Sequence, residues 1–370
     1  MRKPDFILLS ICAALLFLGI LILASVSASF SISRTGSTFY YLNHQLLFGV
    51  LPGVLLGTIA FFFPLSFLKR WSFALLCIGI ILLGMVFIPG VGSNLGGAHR
   101  WIFVGPISIQ PSELIKFIAI LYVAAFLTSR STGAKNGIKT QRALKELLLP
   151  FLGILGVMGI LLILQPDLST LGIIIMIGLA MYFLASTPLW HTLSMIATGT
   201  AALFFLVQIA PYRLSRFLVF LNPSLDPLGK GYQIKQALIG IGSGGLTGVG
   251  LGLSFQKFGT LPEPISDSIF AIFAEETGFA GAFLLIALFL AFCWRGFVVA
   301  RRAPDQFSGL VATGIVWWIT LQAFINIGAM IRLLPMTGIP LPFISYGGSA
   351  LVTELIALGI LLNISKQKTV

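Results

Sequence analysis

Apolar residues run almost unbroken along this chain, and the polar ones fall between the runs instead of alternating within them. Apolar stretches cover 6–28, 45–64, 71–88, 112–128, 147–164, 168–186, 189–210, 268–294, 310–331 and 343–364. A helix needs about 20 apolar residues to cross a bilayer, so the pattern predicts ten transmembrane helices. The division between the sixth and seventh rests on Thr187 and Pro188 alone. Arg2, Lys3 and the Val26-Ser27-Ala28 tripeptide give residues 1–28 some likeness to a leader. That apolar run is too long for one and further spans follow, so a retained first helix is expected. The fold class read from the pattern is an all-α polytopic membrane protein, residues 1–370 forming a single transmembrane domain with one large extracellular loop at about 211–267.

Composition sharpens this. The chain is 57% hydrophobic and 9% charged, against about a quarter charged for a soluble domain. The net charge of +12 is unevenly placed. Lys69, Arg70, Arg130, Lys135, Arg142, Arg295, Arg302 and Lys366 fall on one side of the predicted spans. The short loops of the other side carry only Arg34, Arg100 and Arg332. Basic residues accumulate on the cytoplasmic side, so both termini are expected there. Orientation accounts for most of the charge, and no nucleic-acid surface is implied. Cys12, Cys77 and Cys293 lie in apolar runs without metal-ligand spacing and read as inert thiols.

The remaining polar residues gather toward the outer side. The loop 240–278 carries four of the eleven acids. Among them Asp267 stands at the point where the chain re-enters the membrane, and a carboxylate at that boundary points to function. Glu113 and Lys116, three apart at the start of the fourth helix, share a face. They suit either a structural ion pair or the wall of a polar cavity. Gln165-Pro166-Asp167 reads both as a turn and helix cap and as a site segment. Arg100 has the geometry to bind a phosphate bidentately. The GIGSGG run at 240–245 matches GxGxxG but follows no strand. Its glycines suit either a ligand approached by backbone or tight turns. Gly231–Ile241 reads as a short amphipathic helix, and 335–348 as a re-entrant outer loop whose Ser345, with Ser349 beyond it, can hydrogen-bond a ligand or a helix.

Asp267, Glu113, Lys116, Asp167, Arg100, Arg213, Arg216 and Lys235 would together make a cavity with a carboxylate base and several cations. That chemistry fits an anionic, lipid-anchored substrate such as a sugar on a lipid pyrophosphate. The cations would stabilise the departing pyrophosphate and the carboxylate would activate a sugar hydroxyl. It also allows a transporter whose buried acids relay ions.

The same segments resemble the SEDS family of bacterial membrane proteins (shape, elongation, division and sporulation). The resemblance covers about residues 90–365. It rests on GAHRWI at 97–102, IQPSELIK at 109–116, QPDLST at 165–170, YRLSR at 212–216, GYQIKQALIGIGSGGLTGVGLG at 231–252, LPEPISDSIFAIFAEETG at 261–278, and NIG plus LLPMTGIPLPFISYGGSA at 326–350. It implies ten helices with cytoplasmic ends and a peptidoglycan glycosyltransferase polymerising lipid II (undecaprenyl-pyrophosphoryl disaccharide-pentapeptide) outside the cytoplasmic membrane. The implied partners are a class B penicillin-binding protein and other divisome proteins. The implied general base is Asp267. The implied substrate-binding residues are Glu113, Lys116, Arg100, Gln165, Asp167, Arg213, Lys235, Ser345 and Ser349. Many members read His-Thr-Asp where this chain has Ile265-Ser266-Asp267, so any role of that histidine is missing here. The QKFGTLPEP segment is closer to the division branch than to the elongation branch. A lipid II flippase is the reading from another class. A divalent cation, Mg or Mn, suits pyrophosphate chemistry, with Asp267 as its ligand the rival to Asp267 as base. The sequence contains no full ligand set for it.

Overall fold

The computed structural model describes residues 3–95, 98–105, 107–134, 144–185, 187–209 and 211–367. Its helices are α1 (Phe6–Thr35), α2 (Tyr40–Phe62), α3 (Leu65–Met85), α4 (Pro111–Ala134), α5 (Leu144–Leu164), α6 (Leu168–Leu184), α7 (Leu189–Ile209), α8 (Pro211–Leu221), α9 (Lys230–Ser243), α10 (Ile269–Arg301), α11 (Gln306–Met330) and α12 (Gly348–Ser365). Among the described residues, eight helices are long and apolar enough to cross a membrane, and α6 is a shorter apolar helix. Each expected apolar run overlaps one helix. The sixth and seventh runs are separate helices. Thr187 Oγ1 donates to the Tyr182 carbonyl at 2.8 Å, and Pro188, which cannot extend the ladder of α6, precedes α7.

The bundle is built around α4, α11 and α12, which bury most of their surfaces, whereas α1, α2 and α3 bury a third or less. Close approach of α2 to α12 depends on glycine. A Cβ on Gly359 would lie 2.0 Å from the Gly57 carbonyl oxygen, and one on Gly57 would lie 2.6 Å from that of Leu355. Small residues of this kind let helix backbones touch in an apolar medium, where dispersion and not water drives association.

Two features depart from the apolar pattern. The segment between α3 and α4 forms an antiparallel meander of β1 (Gly92–Leu95), β2 (Ala98–Val104) and β3 (Ile107–Ile109), with Gly92 opposite Ile102 and Ile102 opposite Ile109. Short strands in an otherwise helical chain leave little trace in a span-length hydropathy pattern. The second departure is α10, expected as one continuous span. It breaks at Gly278, where φ is 66° and ψ is −165°. A helix break orphans backbone groups that must find partners in lipid. The glycine-rich loop supplies them. Phe279 N–H donates to the Gly245 carbonyl at 2.9 Å and Ala280 N–H to that of Leu246 at 3.1 Å. In return the Glu275 and Glu276 carbonyls each accept at 3.0 Å, from Val249 and Gly250. A Cβ on Gly248 would meet the Glu276 carbonyl oxygen at 2.1 Å, and one on Gly244 would meet that of Ala274 at 2.3 Å. The glycines therefore serve backbone docking into the broken helix.

Candidate active site

Asp267 sits one residue before the N-cap of α10, where the large loop meets the membrane helix. Its backbone is clamped on both sides. Asn326 Nδ2 donates to the Asp267 carbonyl at 2.9 Å and to that of Ile339 at 2.7 Å. The Ser345 hydroxyl donates to the Ser266 carbonyl, and Tyr346 N–H to that of Ile265 at 2.8 Å. Next to it, Ser268 Oγ donates to the Pro262 carbonyl at 2.8 Å and accepts from Gln233 Nε2 of α9 at 2.9 Å.

The residue is half-buried. Gly338, at φ +72°, lies against its carboxylate: a methyl group placed there would lie 3.3 Å from Asp267 Oδ2. Desolvation, reinforced by the negative charge of Glu263, pushes its pKa up to about 6, against the opposing pull of Lys230, Arg216 and Arg100. A carboxylate poised there is ionised at neutral pH and basic enough to take a proton from a hydroxyl entering its transition state.

A second polar cluster lies deeper in the bundle. Lys116 Nζ pairs with Glu113 Oε2 at 2.8 Å, and both residues are buried. Lys116 also donates to Gln322 Oε1 at 2.8 Å and lies over the Trp318 ring, 5.2 Å from its centroid. Trp318 Nε1 donates to the same Gln322 oxygen at 2.9 Å. One loop joins this cluster to Asp267. Gln322 Nε2 holds the Pro340 carbonyl at 3.0 Å, one residue from the carbonyl held by Asn326. The same loop is tied by Glu354, whose carboxylate accepts from Phe343 N–H at 2.8 Å. It is tied again by Ser169, whose hydroxyl donates to the Thr337 carbonyl at 2.7 Å.

The other sequence-derived residues fall as follows. Arg100 is half-buried on β2; its Nε donates to the Gln165 carbonyl at 2.9 Å and its Nη2 to that of Pro166. Gln165 is buried and its Nε2 donates to the Leu83 carbonyl at 2.8 Å. Asp167 is the N-cap of α6, accepting from Thr170 N–H at 3.2 Å and from Thr170 Oγ1 at 2.9 Å. Ser349 accepts from Gln110 N–H at 3.1 Å and donates to the Ser108 carbonyl at 2.7 Å, joining β3 to α12. Lys235 is exposed and lines a separate recess of about 340 Å³ with Arg332. Arg213 belongs to α8, and its side chain lies outside the described residues. The eight-residue cavity expected from the sequence is thus divided. Asp267 has Arg100 and Arg216 within electrostatic reach, Glu113 and Lys116 lie behind the connecting loop, and Lys235 faces elsewhere.

Sequence reasoning missed Gln322, Trp318, Asn326, Gly338 and Lys230. Three of them had a signal. Trp318, Gln322 and Asn326 recur every four residues along α11, a stripe on one face of an apolar helix. Gln322 and Asn326 are uncharged amides, which hydropathy averaging conceals.

Among the described residues no three His, Cys, Asp or Glu converge as metal ligands. Asp267 and Glu263 are near enough to interact. Mg²⁺ is commonly held by one or two carboxylates together with substrate phosphates. The donor set fits a cation of that kind, held by these two acids and a pyrophosphate.

The family described as cell cycle proteins, which groups FtsW, RodA and SpoVE, matches residues 6–370. The chain is 41% identical over 368 residues to stage V sporulation protein E of Bacillus subtilis (strain 168), covering 98% of this chain and 97% of that one. It is 40% identical over 357 residues to the probable peptidoglycan glycosyltransferase FtsW of Coxiella burnetii, covering 96% and 94%. The fold matches a chain from a solved peptidoglycan synthase complex that coordinates polymerization and crosslinking. That match has a TM-score of 0.80 at 27% identity, covering 98% and 97%. This chain is a multi-pass membrane protein of the FtsW/RodA/SpoVE family.

Proposed function

We infer that this protein is a peptidoglycan glycosyltransferase that polymerises lipid II at the outer face of the cytoplasmic membrane, in septal wall synthesis, with Asp267 as general base. The enzyme class rests on near-full-length identity to relatives bearing that name. The observation that carries the mechanism is Asp267 itself: a backbone-clamped, half-buried carboxylate with a pKa near 6 and three cations within electrostatic reach.

Asp267 takes the proton of the acceptor sugar's 4-hydroxyl as that oxygen attacks the anomeric carbon of the donor. The bond from that carbon to the lipid pyrophosphate breaks, and the electron pair leaves on the pyrophosphate. The proton stays on Asp267 until solvent removes it. Arg216 and Lys230 lower the cost of the charge that develops on the leaving group. Arg100, fixed on the Gln165 and Pro166 carbonyls, adds positive potential from a set position. In the rival arrangement Asp267 and Glu263 would hold a divalent cation that neutralises charge on the leaving group, and Asp267 would then not be the base. The proposed partner is a class B penicillin-binding protein, and the match to a chain of a peptidoglycan synthase complex that coordinates polymerization and crosslinking supports a crosslinking partner.

The test is polymerisation of labelled lipid II by the protein with its cognate class B partner, comparing wild type with Asp267→Asn and Asp267→Ala. Polymer from wild type and none from folded, partner-bound Asp267→Asn is the expected result. Equal polymer from both overturns the assignment of the base. Protein-dependent movement of lipid II across vesicle bilayers without polymer would favour the flippase.

A further inference from the structure

The two ends of the bundle differ in charge, and the basic end, far from Asp267, holds two cavities that meet. The first is an apolar groove of about 360 Å³ between α1, α2 and α12. Leu9, Cys12, Ala13 and Leu16 supply one wall, spaced as a single face of α1, and Gly53 and Gly57 thin the opposite wall. Its one hydroxyl, Thr58 Oγ1, is satisfied by the Val54 carbonyl at 2.7 Å, so the lining is overwhelmingly apolar. The second is a recess of about 380 Å³ lined by Lys3, Asp5, Arg295, Arg302 and Ser365. Pro4 lines both cavities.

The two differ in what they can hold. In the recess, Asp5 neutralises Arg295 through a 2.7 Å ion pair. Lys3 and Arg302 are exposed, with no ion-pair partner among the described residues. The recess therefore presents a net positive charge next to the mouth of a dry groove. From Pro4 to Leu16 is twelve residues, or roughly 18 Å at 1.5 Å per residue. One leaflet of hydrocarbon is roughly 15 Å deep. The groove thus has the depth of one acyl chain, and the cations lie where its headgroup would be.

We propose that these paired cavities bind one anionic diacyl phospholipid of the adjacent leaflet, its phosphate between Lys3 and Arg302 and one acyl chain along the α1–α2–α12 groove. Orientation requires positive charge at this end but not an apolar groove opening beside it. The charge at Lys69 and Arg70, in a different recess with Arg130, serves as the control for orientation charge alone.

The experiment is native mass spectrometry of the full-length protein after exchange into detergent containing equal phosphatidylglycerol and phosphatidylcholine. The expected result is one retained phosphatidylglycerol in preference to phosphatidylcholine. A basic residue at a membrane surface contributes about fivefold to binding an anionic lipid. Lys3→Gln with Arg302→Gln should therefore weaken retention about 25-fold, and Lys69→Gln with Arg70→Gln should leave it unchanged. Ala13→Trp, at an exposed position that fills the groove, should abolish retention without lowering Tm; Val54→Trp fills it from the other wall if the first variant does not fold. Equal retention of both lipids, an equal loss in the Lys69/Arg70 control, or indifference to groove filling overturns the proposal. Glycerol 3-phosphate displacing the lipid stoichiometrically would reduce the site to a phosphate site and overturn the lipid assignment.

Discussion

Gly338→Ala separates contact from strain at Asp267, the proposed base. The residue adopts φ +72°, and a methyl there would stand 3.3 Å from Asp267 Oδ2. The substitution thus has two effects. Backbone strain in the left-handed region costs about 1–2 kcal/mol. The methyl also displaces the carboxylate by a few tenths of an ångström and covers one of its faces. If a 1 Å misplacement costs about 100-fold, a shift of about 0.3 Å costs about fourfold. Covering the carboxylate raises a pKa already near 6. One further pH unit would cut the ionised fraction at pH 7 from about nine-tenths to one-half. The expected loss in polymerisation rate is about sevenfold at pH 7, smaller at pH 8. Gly36→Ala is the control: Gly36 caps α1, also at φ +72°, with nothing within 4 Å of its would-be Cβ. Both variants should lose similar thermal stability, and only Gly338→Ala should lose activity. Polymerisation by Gly338→Ala at the wild-type rate at pH 7, with Tm lowered as in Gly36→Ala, would refute the placement of the reacting carboxylate.

The raised pKa gives the pH profile its sign: with Asp267 as the proposed base working ionised, the rate of lipid II polymerisation should fall tenfold per pH unit below about 6. Glu263→Gln should move that limb to lower pH and Lys230→Gln to higher pH; shifts in the same direction would contradict the electrostatics. Because the folded site favours the protonated acid, its stabilising contribution is present at low pH and lost as pH rises through about 6. Asp267→Asn should therefore be at least as thermostable as wild type at pH 7.5, measured by thermal unfolding in the same detergent. Lys116→Met leaves Glu113 buried without its cation and should cost about 3–5 kcal/mol, with much of this recovered in the double variant with Glu113→Leu; a double variant no more stable than the single would show the pair is not the cause. Gly278→Ala places a Cβ 2.3 Å from the Gly248 nitrogen at φ +66°, so it should expose the glycine loop to protease even where the bundle remains folded.

How much could be read in the sequence depended on the distance over which each feature is built. The spans were legible because each satisfies its own backbone within a continuous run. Asp167 as a cap and Glu113 with Lys116 as an i,i+3 pair were legible for the same reason: both partners lie within one turn. Asp267 stood out as an acid at a lipid boundary, but its clamp did not. That clamp joins residues 59 and 79 positions away, Asn326 and Ser345. Lys116 meets Gln322 across 206 positions, and no local pattern encodes which face of α11 turns toward α4. The division of the expected cavity has the same origin: Lys235 and Lys230 differ by five positions on α9, enough to turn one toward Arg332 and leave the other within reach of Asp267.

The two acids of α10 show what the rest of the glycine loop is for. Burying charge is costly unless it is paired and hydrogen-bonded; Glu276 meets both conditions, and Glu275 is held by hydrogen bonds. Glu276 pairs with Lys257 at 3.0 Å and accepts from Ser25 of α1 at 2.7 Å. Glu275 accepts from the Ser254 hydroxyl and from Phe255 N–H at 3.2 Å. None of these groups reaches Asp267. They tie residues 249–257 to α10 about two turns from its start, while Asn326 and Ser345 tie residues 266 and 267 from the other side. The segment between is thus anchored at both ends to helices and not to solvent. A carboxylate held this way needs little ordering when a ligand arrives, which is the condition under which fixed charges and dipoles lower a barrier most. The buried acids of α10 thus bear on Asp267 only through the backbone they hold, and the helix break at Gly278 is what gives the loop backbone groups to hold on to.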